Sequence, residues 1–429
     1  MISRSRTALV GTIVMGAMVV VHPPGGAHGE EVRPRARDLG IAPGALAPGP
    51  LNAITDVEGV RVGHVSLVEG DSIRTGATAI VPHAGNLFQE KVPAAVVVGN
   101  GFGKLVGSTQ VDELGELETP ILLTNTLNVW EAAAALVEYT LEAAGNETVR
   151  SVNPLVGETN DGWLSDIRRR PLRAEHFRAA LDRAAGGPVA EGAVGAGMGT
   201  MVFGFKGGIG TSSRRVADTS GGYVIGALVQ TNFGGRLTID GVPVWRELAP
   251  AAGPRDRPRS AAQADAGVGA VSAAEPVADA SARSDSADDP PAGDGSCVIV
   301  VATDAPLDAR QLKRLARRAL VGMARTGANF AHGSGDYVVA FSTNPAVRIV
   351  QEPGRTTRPT AVFEEAALTP LFEAVADATE EAIYNALLRA TTTRGRDGHV
   401  GEAIPIEPLR QVLTKFGRGN APPEGDRGE

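Results

Sequence analysis

The sequence predicts an α/β fold built around a large core. The chain has 429 residues, 43% of them hydrophobic, so it can bury the core of one big domain or of two ordinary ones. Short apolar runs rich in β-branched residues are separated by glycine turns, as in sheets. Longer segments repeat apolar residues at the three- to four-residue spacing of helices.

Strand-like runs dominate the first half of the chain. Residues 59–67 and 77–81, joined by a turn at 69–71, predict a hairpin, and 223–230 predict a later strand. The short runs 94–98 and 120–124 are typical of buried strands. Residues 129–144 predict a helix. The apolar residues of its predicted buried face are Val129, Ala132, Ala133, Leu136 and Leu141.

A change of composition interrupts this pattern near Leu248. Residues 249–295 are mostly Ala, Ser, Asp, Pro, Arg and Gly, and such a segment predicts a disordered linker because it can bury little apolar surface. The β-branched run 296–303 then predicts a central strand. A helix follows, with Asp308 as its N-cap, Gln311 in capping-box position and Gly327 at its C-terminal end. Residues 336–342 predict another strand and 371–391 a second long helix.

Charge and cysteine content exclude several classes of function. The net charge of −8 argues against nucleic acid as the main partner. The single cysteine, Cys297, excludes an intrachain disulfide and multi-cysteine metal sites, and its place inside a predicted strand makes it a buried apolar residue. The seven histidines show no metal-ligand spacing and the glycine clusters fit no nucleotide-binding pattern, so we expect neither a metal nor another cofactor.

The first 29 residues have the pattern of an export signal. Arg4 and Arg6 precede an apolar stretch over residues 8–21, too short for the ~20 residues that span a bilayer. Ala27 and Gly29 then occupy the positions that signal peptidase prefers. We therefore expect a secreted or periplasmic protein. The alternatives are an uncleaved membrane anchor and a misassigned start.

The junction GDGSC at residues 293–297 joins the predicted linker directly to the predicted central strand. Gly295 has no Cβ, so its carbonyl can be approached closely by the Ser296 hydroxyl. Attack there, followed by hydrolysis, would make Ser296 a new amino terminus. Its α-amine, with a pKa of about 7.7–8.0, can act as a general base for its own hydroxyl. The alternative is an ordinary loop that enters an ordinary strand.

Many segments in order along the chain resemble one known family. They include RDLG (37–40), LNAITD (51–56), GNGFGK (99–104), LETP (117–120), GETNDG (157–162), GFKGGIGTS (204–212), QTN (230–232), the junction with its following strand and helix, and HGSGD (332–336). Together they resemble the DmpA-type aminopeptidases, which are self-processing peptidases with an amino-terminal serine and include the β-peptidyl aminopeptidases. The resemblance covers nearly the whole chain except the leader, the linker and the extreme C-terminus.

The resemblance implies a layered αββα sandwich, similar to the N-terminal-nucleophile hydrolases and the ornithine acetyltransferases. Self-cleavage between Gly295 and Ser296 would divide it into an α-subunit, residues 30–248 followed by the linker 249–295, and a β-subunit, residues 296–429. The family commonly forms oligomers of such αβ pairs, so we expect a homo-oligomer. The expected substrates are small peptides, amides or esters, with no stable membrane insertion after signal removal.

The resemblance also implies roles for single residues. Ser296 matches the nucleophile, and Asn232 matches the asparagine that helps to hold the oxyanion, a contribution of about 3–4 kcal/mol. Ser334 and Asp336 match the hydroxyl and carboxylate around the nucleophile, although other members can have Glu at the second position.

The substrate-binding candidates lie in the segment 157–163. Glu158 is the candidate for binding the substrate ammonium, with Asn160 and Trp163 beside it. The tyrosine that some members have in this loop is missing here, where the chain has Trp163.

The sequence is compatible with two other functions. An acyltransferase like the ornithine acetyltransferases would share the fold and the self-cleavage, but those enzymes use threonine where this chain has Ser296. A catalytically silent secreted binding protein would keep the fold without the cleavage.

Overall fold

The computed structural model describes residues 33–217, 219, 221–250, 295–352 and 354–419; the predicted leader and nearly all of the predicted linker lie outside these ranges. Its strands are β1 Arg61–Glu69, β2 Ile73–Val81, β3 Glu90–Gly101, β4 Leu105–Val106, β5 Glu116–Leu117, β6 Ile121–Asn125, β7 Leu155–Thr159, β8 Met201–Val202, β9 Phe205–Lys206, β10 Ile209–Arg215, β11 Val224–Asn232, β12 Ser296–Thr303, β13 Gly335–Ser342, β14 Ile349–Val350, β15 Thr393–Arg394 and β16 Val400–Gly401. Its α-helices are α1 Ser108–Leu114, α2 Val129–Leu141, α3 Ala174–Asp182, α4 Ala309–Arg325, α5 Thr369–Arg389 and α6 Ile406–Lys415.

Two large sheets organise the described chain. The first has the strand order β1-β2-β6-β7-β4, and the second has the order β10-β11-β12-β13-β3-β14 with β5 also paired to β3. Strands β12 and β13 run parallel, whereas β11 and β3 flank them in antiparallel directions. The strand that begins at Ser296 therefore lies in the middle of the second sheet, hydrogen-bonded on both sides.

Side chains that alternate along β12 show that helices and sheets form four layers. Val298 and Val300 belong to a core shared with residues of the first sheet such as Leu122. Cys297 and Ile299 point the other way, into a core that they share with helices α4 and α5. Helices α2 and α3 pack against the first sheet. The predicted αββα sandwich is thus confirmed.

Most predicted elements are present with small shifts of their ends. The hairpin is β1 and β2, the strand predicted at 296–303 is β12, and Asp308 caps α4 by accepting a hydrogen bond from the Gln311 N–H. Gly327 follows α4 with a φ of 94°, the left-handed conformation that suits glycine at this position.

The buried face of α2 differs in part from the prediction. Leu141 is 40% exposed, whereas Ala135 and Thr140 are buried with Val129, Ala132 and Leu136. Each residue turns a helix by about 100°, so Leu141 lies one step around from Thr140, away from the sheet.

Glycines allow the second sheet and α5 to approach closely, and this contact gives a stability prediction. A Cβ on Gly210 of β10 would lie 1.9 Å from the Ala382 carbonyl oxygen of α5. We expect Gly210→Ala to lower the free energy of unfolding by about 1–3 kcal/mol, because the layers must separate. The matched control is Gly186→Ala, where a Cβ meets no atom within 4 Å. Equal stability of the two variants in denaturant titrations would contradict this packing.

Candidate active site

The predicted nucleophile begins the central strand of the second sheet. In the strand register, Ser296 faces Asn232 of β11 on one side and Gly335 of β13 on the other. Directly opposite residues present their side chains on the same face of a sheet, so Asn232 and Ser296 share a face. The register therefore brings three distant parts of the sequence together at one end of β12.

One backbone donor serves both partners of the predicted self-cleavage. The Gly335 N–H donates to the Gly295 carbonyl oxygen at 3.0 Å, and its nitrogen lies 3.3 Å from Ser296 Oγ. Gly295 fits here because it lacks a side chain: a Cβ would lie 2.2 Å from the Asn232 carbonyl oxygen. This arrangement polarises the carbonyl of the bond before Ser296.

Ser334 and Asp336 form a hydrogen-bonded pair beside Gly335. The Ser334 hydroxyl donates to Asp336 Oδ1 at 2.8 Å, and the second oxygen of this buried carboxyl has no partner among the described residues. Burial raises the pKa of Asp336 to about 6, while hydrogen bonds from the Ser334 hydroxyl and the Cys297 N–H oppose the rise. Asp336 is therefore ionised at neutral pH but close to protonation.

Asn100 holds the turn that carries Ser334 and was not among the predicted site residues. Its side-chain amide donates to the carbonyl oxygens of Ala331 and His332, both at 3.0 Å, and also to that of Ser334. The Phe102 N–H donates to the same Ser334 oxygen at 3.1 Å. The segment 99–104 therefore supports the turn next to the nucleophile, a role that its glycine-rich pattern alone did not indicate.

The Asn232 side chain has a fixed orientation. Its Oδ1 accepts a hydrogen bond from the Met201 N–H at 3.0 Å. Because the oxygen is held in this way, the amide nitrogen Nδ2 must point to the other side, where it meets no acceptor from the described chain. Both of its N–H groups are therefore available to a ligand on the face of the sheet that Ser296 shares.

Glu158 lies at the end of β7, where the first sheet packs on the second. Its carboxylate is 2% exposed, and Oε1 accepts the Lys104 N–H at 3.0 Å and lies 3.4 Å from Lys104 Nζ. Oε2 makes no hydrogen bond with the described residues. A Cβ on Gly103 would lie 3.1 Å from Glu158 Oε1 and 3.2 Å from the Cα of Gly335. The Glu158 carboxylate is therefore near Gly335, the residue that pairs with Ser296.

The other two predicted substrate contacts lie in the loop after β7. Asn160 is exposed, and its Oδ1 accepts the Gly162 N–H at 2.9 Å, which makes it a turn residue. Trp163 stacks on His399 with a ring distance of 3.6 Å and an angle of 8°. His399 Nδ1 also lies 2.8 Å from the Trp163 carbonyl oxygen, so the indole is held in place. Both residues remain predictions as substrate contacts.

Tyr337 supplies a tyrosine that the sequence interpretation did not find. It lies on β13 two residues after Gly335, and its ring carbon Cε2 would be 3.2 Å from a Cβ on Gly103, near Glu158. Burial, together with the charges of Glu158 and Asp336, raises the pKa of its hydroxyl. That hydroxyl has no hydrogen-bond partner in the described chain. Tyr337 thus places a phenol near Glu158, whereas the loop at Trp163 has none.

Cys297 is fully buried, as predicted. Burial raises the pKa of its thiol well above the usual range, and the nearby Asp336 adds to the effect. In the ranges that the structure describes, no three His, Cys, Asp or Glu side chains gather into a metal-binding group. None of the helices described has the length and apolar character needed to cross a membrane.

Comparison with known proteins agrees with this geometry. The model of peptidase family S58 matches residues 52–401. The chain belongs to peptidase family S58. A β-peptidyl aminopeptidase of Sphingosinicella microcystinivorans is 41% identical to it over 396 residues, which cover 90% of this chain and 93% of the relative.

Two solved structures share the fold. A β-aminopeptidase of a Burkholderia species is 38% identical and has a TM-score of 0.77, covering 89% of this chain and 99% of its own. The L-aminopeptidase D-Ala-esterase/amidase of Ochrobactrum anthropi is 36% identical with a TM-score of 0.76, over 90% and 100% of the two chains, and is described as a variant of the Ntn hydrolase fold. The present chain is accordingly a serine aminopeptidase with this layered fold.

Proposed function

We propose that this S58 peptidase cleaves itself before Ser296 and then uses Ser296 to release amino-terminal residues from small peptides, amides or esters. The observation that carries the proposal is the shared donor. The Gly335 N–H holds the Gly295 carbonyl oxygen and lies within reach of Ser296 Oγ. The names of the relatives support the choice of substrate class.

Self-cleavage begins when Ser296 Oγ attacks the carbonyl carbon of Gly295 and gives its proton to the Ser334 hydroxyl, which passes its own proton to Asp336. The Gly335 N–H and the Nδ2 donors of Asn232 stabilise the developing oxyanion. The bond from Gly295 to the Ser296 nitrogen then breaks, the nitrogen takes that proton back from the Ser334–Asp336 pair, and an ester joins Gly295 to Ser296 Oγ. Water hydrolyses that ester and leaves a carboxylate on Gly295 and a free α-amine on Ser296.

Substrate hydrolysis repeats this chemistry in the space that Gly295 vacates. The substrate carbonyl oxygen binds the Gly335 N–H and the free Nδ2 donors of Asn232. The Ser296 α-amine accepts the proton of its own hydroxyl as Oγ attacks, and then gives a proton to the leaving amine. Ser334 and Asp336 hold the ammonium formed in between, and water releases the acyl group.

Glu158 would bind the substrate's ammonium through its unoccupied oxygen Oε2. We expect Glu158→Gln to raise KM for free-amine substrates about 10–100-fold, since a hydrogen bond to a charged group contributes about 1.5–3 kcal/mol. Esters with a free and with an N-acetylated amine, assayed side by side, measure the effect. The variant should lose the preference of the wild-type enzyme for the free amine. The matched control is Glu142→Gln, an exposed glutamate that pairs with Arg178. An unchanged preference would remove Glu158 from substrate binding.

The proposal includes export and assembly. A basic and apolar leader followed by Ala27 and Gly29 supports a secreted or periplasmic location. The family resemblance supports a homo-oligomer of αβ pairs.

The test of the proposed function is intact-mass analysis of the purified wild-type protein with sequencing of every amino terminus. We expect two chains and a new terminus at Ser296. Hydrolysis of alanine or β-alanine p-nitroanilide is then assayed on the same sample. An active enzyme with the bond at 295–296 intact, or cut only elsewhere between residues 249 and 294, would contradict the proposal.

A further inference from the structure

A buried lysine binds the peptide that holds the Asn232 side chain. Lys206, the second residue of β9, is fully buried. Its Nζ lies outside ion-pair distance of every described carboxylate, although the charge of Asp161 is near enough to raise its pKa. A buried ammonium without an ion pair is costly in free energy, so its retention calls for a reason.

All three hydrogen-bond donors of the ammonium bind backbone oxygens of one short segment, residues 197–207. Lys206 Nζ donates to the carbonyls of Gly197 at 2.9 Å, Thr200 at 3.0 Å and Gly207 at 2.8 Å. The Gly207 N–H also donates to the Thr200 oxygen at 3.0 Å. The segment 197–207 thus folds around the Lys206 ammonium.

The Thr200 carbonyl belongs to the same peptide unit as the Met201 N–H. That N–H donates to Asn232 Oδ1 at 3.0 Å. A positive charge on the carbonyl end of a peptide strengthens the hydrogen bond that its N–H end donates, because polarisation is passed along the chain of hydrogen bonds. A chain of hydrogen bonds therefore runs from the Lys206 ammonium through the Thr200–Met201 peptide to the Asn232 amide. The Nδ2 donors of that amide lie on the sheet face that Ser296 shares.

We infer that Lys206 is a positioning residue for the oxyanion-binding amide of Asn232. It fixes the Thr200–Met201 peptide, which fixes Oδ1 and so directs Nδ2 towards the reacting carbonyl. The inference rests on the proposed function, because it assigns to Asn232 the role given there.

The test is a double-mutant cycle of Lys206→Met and Asn232→Ala, measured as kcat and KM per cleaved chain and as the rate constant of self-cleavage. We expect Asn232→Ala to lower kcat about 10²–10³-fold, as for the loss of one oxyanion donor. Lys206→Met should lower it about 10–100-fold with KM nearly unchanged. The double variant should be no slower than Asn232→Ala alone, since residues that act through one another are not additive.

Two controls separate positioning from general stability. Lys91→Met removes another buried ammonium, one that pairs with Glu118 at 2.8 Å away from the site, and should lower stability while kcat is unchanged. Lys206→Gln, which keeps a donor, replaces Lys206→Met in the cycle if the latter does not fold, and should lower kcat less than Asn232→Ala does.

Additive effects in the cycle, or a change in KM alone, would overturn the role of Lys206. For a variant that cleaves too slowly to give a kcat, the rate constant of self-cleavage takes the place of kcat in the cycle. A wild-type protein that neither cleaves nor hydrolyses would instead refute the proposed function, so the two failures are distinguishable.

Discussion

Ser296→Ala is expected to remain a single chain and to lose hydrolysis by about 10⁶-fold, the loss seen when a serine nucleophile is removed from a hydrolase. The hydroxyl that lies beside the Gly295 carbonyl is removed, while the buried strand and its neighbours Asn232 and Gly335 remain. Intact mass and the p-nitroanilide assay measure the two losses. The fold should persist, because alanine fits wherever serine fits.

Conservative variants are the controls for this result. Ser296→Thr keeps a hydroxyl and should still cleave, more slowly, because its extra methyl must fit at a position that is only 5% exposed. Cys297→Ala should cleave and hydrolyse at nearly the wild-type rate, since the Cys297 side chain points into the core on the opposite face of β12. A Ser296→Ala protein that cleaves or hydrolyses at the wild-type rate would place the nucleophile elsewhere.

The sequence predicted the parts of this site that depend on local pattern. The β-branched run from Ser296 to Thr303 is a strand with those same ends, and Asp308 with Gln311 caps the helix after it. These features depend on neighbours within a few residues, which a single sequence displays directly.

Contacts between strands could not be predicted from such local patterns. The pairing of Ser296 with Asn232 and Gly335 is set by the register of a whole sheet. The resemblance suggested these residues, but the Gly335 N–H as a donor needed the backbone geometry. Tyr337 was overlooked for the same reason: its nearness to Glu158 depends on the packing of β13 beside the loop at Gly103.

The burial of two charged side chains could not be predicted from the sequence either. Lys206 reads as an ordinary lysine before two glycines, and Arg214 as one of two consecutive arginines. The structure buries both, Lys206 among carbonyls and Arg214 against Glu381 at 2.7 Å. Lysine and arginine are almost never fully buried unless they are paired, so composition favours the surface for each of them.

Asp336→Asn is expected to slow self-cleavage and hydrolysis about 10²–10⁴-fold, the usual contribution of a positioned acid or base. The carboxylate accepts a hydrogen bond from the Ser334 hydroxyl at 2.8 Å. Only the ionised carboxylate can take the Ser334 proton when Ser334 accepts the proton of Ser296 Oγ. Asparagine keeps the size of the side chain but cannot accept this proton. The matched control is Asp112→Asn, an exposed aspartate that pairs with Lys313.

The pKa of Asp336 also fixes the sign of the pH dependence. Because burial raises it to about 6, the carboxyl is mostly protonated at pH 5 and mostly ionised at pH 7. Self-cleavage should therefore accelerate about tenfold from pH 5 to its plateau. A pH jump on the slow Ser296→Thr precursor isolates this group, because the α-amine does not exist before cleavage. A flat profile between pH 5 and 7, or one unchanged in Asp336→Asn, would show that the proton leaves Ser296 by another route.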